Sequence, residues 1–156
     1  MANTSYSSNI HAAKTPGGTH GQHQLTNHHH STVTVPASFV TTDTLNMGYL
    51  PPGAVVFGLT LKAATQLDSN GTPTLTLNVG VAGTPQQFMA ASALVGRAAG
   101  ASFDTTMTAA GRLYKNTSGQ KQVITVTAQA NAATGVAGTL ELDLDYFIED
   151  QVATGP

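Results

Sequence analysis

Histidines are the residues of this sequence whose type and spacing could do chemistry. His20 and His23 stand three residues apart, and His28, His29 and His30 are consecutive. Neutral imidazole is the commonest metal ligand in proteins, so this tract could assemble a Zn²⁺ or Ni²⁺ site. The stretch offers no acid or thiol to complete a rigid four-ligand set, and a solvated or partner-bound segment is the alternative. We predict no cofactor and no metal centre, and keep these five histidines as the candidate ligands.

Carboxylates form the second cluster, near the C-terminal end. Glu141, Asp143 and Asp145 alternate along one segment, and Glu149 and Asp150 follow. Paired carboxylates can catalyse glycoside hydrolysis or bind Ca²⁺. Alternate spacing instead places the first three in a row on one face of a strand, and no glycine turn gathers them into a loop. We interpret the row as a solvated face or as an edge that resists aggregation.

Nucleophilic catalysis lacks its components in this sequence. The chain contains no cysteine, no Gly-x-Ser-x-Gly motif and no histidine beyond residue 30 to act as a general base. No phosphate-binding glycine loop occurs between a predicted strand and a predicted helix. We therefore predict that the protein is not an enzyme and has no catalytic residues.

Charge is scarce in this chain of 156 residues, of which 9% are charged, against about 25% in average soluble proteins. Six Lys+Arg against eight Asp+Glu exclude a basic nucleic-acid-binding surface. No apolar run approaches the roughly 18 residues that span a bilayer, so no membrane partner is expected. The N-terminal residues show no secretory signal, which indicates synthesis in the cytoplasm. A chain with so little charge suits assembly.

The composition changes near residue 31. Residues 1–31 are rich in histidine and glycine, and their larger apolar side chains beyond Met1 are Tyr6, Ile10 and Leu25. Such a segment cannot bury enough apolar area to order itself alone, so we predict an extended arm whose three apolar residues contact a partner. Residues 32–150 form the predicted β domain, and residues 151–156 form a short tail.

From residue 31 onward, apolar and polar residues alternate with a period of two, which is typical of half-buried strands. Val55, Phe57, Leu59 and Leu61 are predicted to share one face of such a strand. Further alternating segments are Leu75–Val81, Ile124–Ala130 and Leu140–Ile148. Six to eight strands at these intervals predict an all-β fold, an antiparallel β-sandwich closed as a jelly roll or as another Greek key.

Turn signals and one helical pattern complete the prediction. Asp68–Gly71 and Asn116–Gly119 carry residues that favour tight hairpins. Gln86–Val95 is predicted as one short helix, because its apolar residues recur at helical spacing. The glycine-rich stretch Gly96–Gly111 is predicted as a long loop.

Four segments carry a family resemblance: Thr74–Met89, Gly111–Tyr114, Val123–Ala130 and Ala137–Tyr146. Their order resembles small structural proteins of tailed-bacteriophage heads and covers roughly half of the chain. The resemblance implies a virion protein, most plausibly a decoration (cement) protein on the outer capsid surface. Its partners would be the major capsid protein and further copies of itself, as a dimer or trimer. The histidine-rich arm lies outside the resemblance.

Two other functions remain open at this stage. One is a tail, connector or fibre-associated virion protein, whose copy number would follow the symmetry of the tail. The other is a host-adhesion β module that binds carbohydrate or metal, which would need exposed aromatic residues or a Ca²⁺ loop.

Overall fold

The computed structural model describes residues 26–149 as an all-β domain, as the sequence predicts. All the elements in this range are strands, and this range therefore contains no helix that could cross a membrane. Its eight strands are β1 (Thr26–Val35), β2 (Thr44–Leu50), β3 (Ala54–Ala63), β4 (Thr76–Val81), β5 (Thr84–Ser92), β6 (Ser102–Asp104), β7 (Gln122–Ala130) and β8 (Gly138–Ile148).

The strands form two antiparallel sheets of four. The first sheet has the order β1-β8-β3-β6 and the second has the order β2-β7-β4-β5. Successive strands alternate between the sheets, except β4 and β5, which pair with each other. This order, with the first and last strands adjacent, is that of a jelly roll, which confirms the predicted β-sandwich and selects its connection.

The core lies between the two sheets and consists of the inward-facing set of each strand. Leu140, Leu142 and Leu144 of β8 are fully buried, and they face the second sheet, where Ile124 and Val126 are fully buried. Each such side chain contributes about 1.5–3 kcal/mol on burial. The period-two pattern of these segments is therefore what fixes the sandwich.

Strand β3 departs from the predicted alternation at one point. Its pairing with β8 shifts register between Val56 and Gly58, which is a β-bulge. The bulge turns Val56 fully inward and leaves Phe57 42% exposed, so Phe57 does not share the buried face with Leu59 and Leu61. A glycine inside a strand is a known sign of a bulge, and Gly58 is that sign here.

The predicted helix at Gln86–Val95 is wrong, because most of this segment is strand β5. β5 pairs with β4 through two register shifts, and Ala91 adopts a left-handed φ of 51°. The irregular pairing buries the adjacent residues Phe88 and Met89 together. Apolar residues thus fall three or four apart within a bulged strand and imitate a helical period.

Strand β1 begins at Thr26, so the boundary predicted between residues 31 and 32 falls inside a strand. Thr26–Val35 pair without interruption with Phe147–Gly138 of β8. The first six residues of β1, among them three of the candidate histidines, therefore belong to the first sheet. The region before Thr26 lies outside the described residues.

Neither predicted hairpin turn joins two adjacent strands. Asp68 is fully buried between β3 and β4, which belong to different sheets. Its carboxylate accepts hydrogen bonds from five backbone amides, those of Asn70, Thr74, Leu75, Ala133 and Thr134. Burial alone would raise the pKa of this carboxyl, but the amide hydrogen bonds outweigh it and hold the pKa well below its usual range. Asp68 therefore ties the β3–β4 loop to the β7–β8 loop.

Asn116 holds a second loop in a similar way. Its buried side-chain amide donates to the carbonyls of Leu50, Pro51 and Gln120, at 2.8–3.1 Å. Its backbone pairs with Ala54, so the segment before it runs along β3 and not back along β7. The polar residues at this position therefore do mark a loop. The side chain of Asn116 anchors that loop to the backbone between β2 and β3 and does not close a hairpin.

Candidate functional site

The outer face of the first sheet carries a row of paired charges, here called the histidine–carboxylate row: His28, His30, Asp143 and Asp145. The register of β1 and β8 sets His28 opposite Asp145 and His30 opposite Asp143. His28 Nδ1 lies 2.8 Å from Asp145 Oδ1, and its Nε2 lies 3.2 Å from Asp143 Oδ1. His30 Nδ1 lies 2.7 Å from the same Asp143 oxygen. Residues that stand more than 110 positions apart in sequence thus form one cluster.

The row has a clear electrostatic consequence. The hydrogen bond with Asp145 raises the pKa of His28 above its ordinary value of 6.5, because the carboxylate stabilises the protonated imidazole. Beside the row, Lys62 Nζ lies 2.8 Å from Glu141 Oε2, and this contact raises the pKa of Lys62. The outer face therefore becomes less negative when His28 takes up a proton.

The acidic residues predicted as a solvated row are indeed on one outer face, but they do not form an edge. β8 lies between β1 and β3, so Asp143 and Asp145 sit in the interior of the sheet and face the histidines. Glu149 is paired with Lys115, and Asp150 lies outside the described residues. The aggregation-edge interpretation is therefore wrong for this strand.

Of the five candidate metal ligands, the structure describes His28, His29 and His30, and it does not gather these three into one site. His20 and His23 lie outside the described residues, while His28 and His30 point outward and His29 points toward the second sheet. His29 Nε2–H donates to the carbonyl of Met47 at 2.7 Å, where a Cβ on residue 48 would come within 2.4 Å of the ring. Within residues 26–149, no three His, Asp or Glu side chains are arranged to hold a metal ion.

The predicted partner contacts also lie outside the described residues. This applies to Tyr6, Ile10 and Leu25, so their roles stay predictions. Thr26, the first residue described, pairs with Phe147 on β8. The segment that carries these three residues therefore joins the domain at the Phe147 end of the first sheet.

An apolar surface that the sequence reasoning missed lies at this same end. Phe57 stacks on Phe147 with the ring centroids 6.2 Å apart. Leu113 beside it is 66% exposed and has a left-handed φ of 57°, which is unusual for a leucine. Phe103 on β6 is also 65% exposed, but it pairs with Lys62 toward the opposite end of β3 and is not part of this surface. Only the glycine at position 58 hinted at the bulge that exposes Phe57.

Between β3 and the segment before Asn116 lies an open groove of about 490 Å³, here called the Leu113 groove. It is lined by Phe57–Thr60, Thr105, Met107, Arg112, Leu113 and Asp145. Its lining is mixed: apolar side chains alternate with threonines, and one cation and one carboxylate are also present. A groove with this lining is suited to an extended chain segment with apolar side chains.

The second sheet presents a different chemistry. Its four strands, Thr44–Leu50, Thr76–Val81, Thr84–Ser92 and Gln122–Ala130, contain no Asp, Glu, Lys, Arg or His. Its outer face carries threonine, asparagine and glutamine instead. All the charged side chains that lie on strands in residues 26–149 belong to the first sheet, so the two faces of the sandwich are chemically distinct.

The fold matches that of chains in bacteriophage capsids. A chain of the cyanophage Pam1 capsid asymmetric unit is 31% identical, with a TM-score of 0.70; the match covers 86% of this chain and 91% of that one. A chain of the capsid of Ralstonia phage GP4 is 27% identical with a TM-score of 0.67, covering 81% and 86% of the two chains. No family model and no curated protein matches. The chain belongs to the structural proteins of the bacteriophage virion.

Proposed function

We propose that this protein is a non-enzymatic decoration (cement) protein that binds the outer surface of a phage capsid and stabilises it. The observation that carries the proposal is the match to the Pam1 chain, which spans nearly all of both proteins. The similarity is therefore between whole small proteins and not between this chain and one part of a large subunit. A protein of this size is suited to sit on a shell that a larger major capsid protein builds.

The N-terminal segment is the proposed attachment to the capsid. Residues 1–25 contain Tyr6, Ile10 and Leu25 and no acidic residue. A segment of this composition gains order on contact with a partner and can cover a large surface. Its partner in this proposal is the major capsid protein, and neither nucleic acid nor membrane is involved. The protein would be made in the host cytoplasm and end on the capsid surface.

Self-association of the β domain is the second part of the proposal. The outer face of the second sheet has no charged side chain on its strands, so a neighbouring copy can cover it without desolvating an ion. Interface cores are likewise depleted of charge. A dimer or trimer would multiply the attachment of each arm through effective concentration. This multiplication would let copies bridge neighbouring capsid subunits.

The first experiment removes the arm and measures binding to capsids that lack the protein. The deletion must stop at Leu25, since Thr26 already pairs with Phe147 and a deletion to residue 30 would cut β1. We expect the shortened protein to keep its β-sheet circular dichroism and to lose at least about tenfold in affinity. A full-length chain with Tyr6→Ser, Ile10→Ser and Leu25→Ser should behave in the same way. Unchanged decoration by both variants would refute the arm as the attachment.

A second experiment locates the protein and tests self-association. A virion map should show it on the outer shell of the head, whereas density along the tail would support the tail-protein alternative. Sedimentation of the purified protein should show a dimer or trimer that Thr127→Lys on the second sheet dissociates. Thr32→Lys on the first sheet is the matched control and should leave the assembly intact. A monomer at all concentrations would refute the oligomer.

A further inference from the structure

The Leu113 groove exists because strand β3 lacks a partner along part of its outer edge. At one end, Val56 exchanges backbone hydrogen bonds with Leu113 and Tyr114, at 2.8 and 2.9 Å. At the other end, Leu61–Ala63 pair with β6. Between them, Phe57–Thr60 have no strand partner on this side among residues 26–149. An exposed strand edge of this kind can add one short extended segment through backbone hydrogen bonds.

Two apolar residues in the walls of the gap, Leu113 and Phe57, are exposed to solvent. Leu113 places an exposed side chain on a left-handed backbone, which costs about 1–2 kcal/mol relative to a favoured conformation. Phe57 is 42% exposed because the bulge turns it outward. Strained residues of this kind concentrate where a protein meets a ligand or partner. The groove therefore has the character of a contact surface.

The position of Thr26 indicates that the segment before it, residues 1–25, can reach the groove. β1, β8 and β3 are adjacent strands, and the stacked rings of Phe147 and Phe57 lie on the line that joins Thr26 to the groove. Three strand spacings amount to about 14 Å. A chain segment that turns back from Thr26 would cover both aromatic rings before it reached the Leu113 groove.

The length and composition of the N-terminal segment fit this path. Fifteen residues lie between Ile10 and Thr26 and include Pro16, Gly17, Gly18 and Gly21. A flexible chain of that length has a root-mean-square span of about 22 Å, which exceeds the path. The segment has no acid to repel Asp145 at the rim, and its tethering gives an effective concentration in the millimolar range.

We propose that, in the free protein, residues 1–25 dock on the Leu113 groove of their own chain, with Ile10 and Leu25 covering Leu113 and Phe57. The proposal adds an occupied state to the unbound protein and does not depend on the capsid. If the proposed attachment also holds, the same apolar side chains contact the groove in the free protein and contact the capsid in the bound protein.

The test is a paramagnetic label on Ser8→Cys, which leaves Ile10 in place, because the chain has no native cysteine. In a dilute sample, we expect the amide signals of Gly58 and Leu113 to lose at least half of their intensity. Tyr49, which is 60% exposed on the second sheet, should keep its signal. Leu113→Asn removes the apolar side chain at a position where asparagine tolerates the backbone, and should restore the signal of Gly58. Tyr49→Ser is the matched control and should change nothing.

Three outcomes would overturn the proposal. Full intensity at Gly58 and Leu113 would show that the segment does not reach the groove. Loss of intensity that Leu113→Asn leaves unchanged would show that the contact is not made through the groove. Loss seen in a mixture of labelled and isotope-enriched chains, and not within single chains, would show exchange between copies. Capsid binding is measured separately, so either proposal can fail alone.

Discussion

Replacing Asp68 by asparagine should test whether the loops of this jelly roll are held by one buried carboxylate. The substitution keeps the size of the side chain but changes one oxygen into an NH₂ group. Three amides converge on Oδ2 at 2.7–3.1 Å and two on Oδ1 at 3.0–3.3 Å. Whichever oxygen is lost, a donor then faces donors, and the remaining bonds become neutral.

The size of the effect follows from these contacts. Hydrogen bonds to a charged group contribute about 1.5–3 kcal/mol each, and a buried donor left unpaired costs about 1–3 kcal/mol. Some loss is recovered because Asn70 is exposed to water. We expect Asp68→Asn to lower the free energy of unfolding by about 4 kcal/mol, within the range for breaking a buried charged contact. At about 3–4 °C per kcal/mol, Tm should fall by about 12–16 °C.

The pH dependence gives this prediction a second readout. The folded-state pKa of Asp68 lies below its ordinary value of 3.8, so the carboxylate stabilises the fold above that value. This stabilisation is lost as the pH falls through the folded-state pKa. The difference between wild type and Asp68→Asn should therefore be constant above about pH 5 and should shrink in stronger acid.

Urea unfolding at several pH values measures both quantities. Asp43→Asn is the control, because the exposed Asp43 carboxylate accepts one amide, that of Val40 at 3.0 Å, and its change should stay within about 1 kcal/mol. A loss at Asp68→Asn no larger than in the control, with the same pH profile as wild type, would refute the buried anchor.

Three further predictions concern other parts of the domain. Gly80→Ala should unfold the protein or destabilise it by more than about 3 kcal/mol, since the added Cβ would lie 2.2 Å from the carbonyl oxygen of Thr84; thermal melting measures this. Asn116→Ala should cost about 2–3 kcal/mol in urea unfolding, because the carbonyls of Leu50, Pro51 and Gln120 lose their donor and the first of them is buried. Asp145→Asn should lower the pKa of His28 in an NMR titration, because their hydrogen bond raises it; an unchanged pKa would contradict the assigned pairing. The stabilisation from that raised pKa is complete below 6.5 and fades as the pH rises through the folded-state value.

The sequence predicted the strands wherever one face is buried and the pattern is uninterrupted. Leu140–Leu144 alternate with acids, and that alternation directly reports which side meets the core. A β-bulge makes this prediction fail, because one extra residue in the strand exchanges the buried and exposed positions beyond it. Phe57 was therefore assigned to the wrong face, and Phe88 and Met89 produced a false helical spacing.

The sequence indicates which Asp and Asn residues lie in loops, but it does not indicate how far along the chain their hydrogen-bond partners lie. Asp and Asn side chains can bind backbone two residues away or more than sixty residues away, and the local sequence is the same in both cases. Asp68 does both: it accepts from Asn70 locally and from Thr134 across the sandwich. Such anchors become visible only when the strand order brings two loops together.

The candidate site depended on the same long-range pairing. The histidines and the acidic row lie at opposite ends of the sequence, and nothing in either local pattern indicates that His28 lies opposite Asp145. Pairing of the first and last strands is a property of the jelly roll, so it follows once the fold is known. The apolar residues of the Leu113 groove had no periodic signal, since they come from a bulge, a loop and a left-handed residue.

The scarcity of charge acquires a structural meaning from this arrangement. Strand-borne charges are confined to the first sheet, where each of His28, His30 and Lys62 faces a carboxylate. A partner that covered this face would have to desolvate several ions at once, at a cost of several kcal/mol for each ion left without compensation. A partner that covered the second sheet would meet neutral polar groups, which can exchange water for hydrogen bonds, and the exposed ring of Tyr49. If copies associate as proposed, their contact is therefore favoured on the second sheet, because covering the first sheet would desolvate its ion pairs.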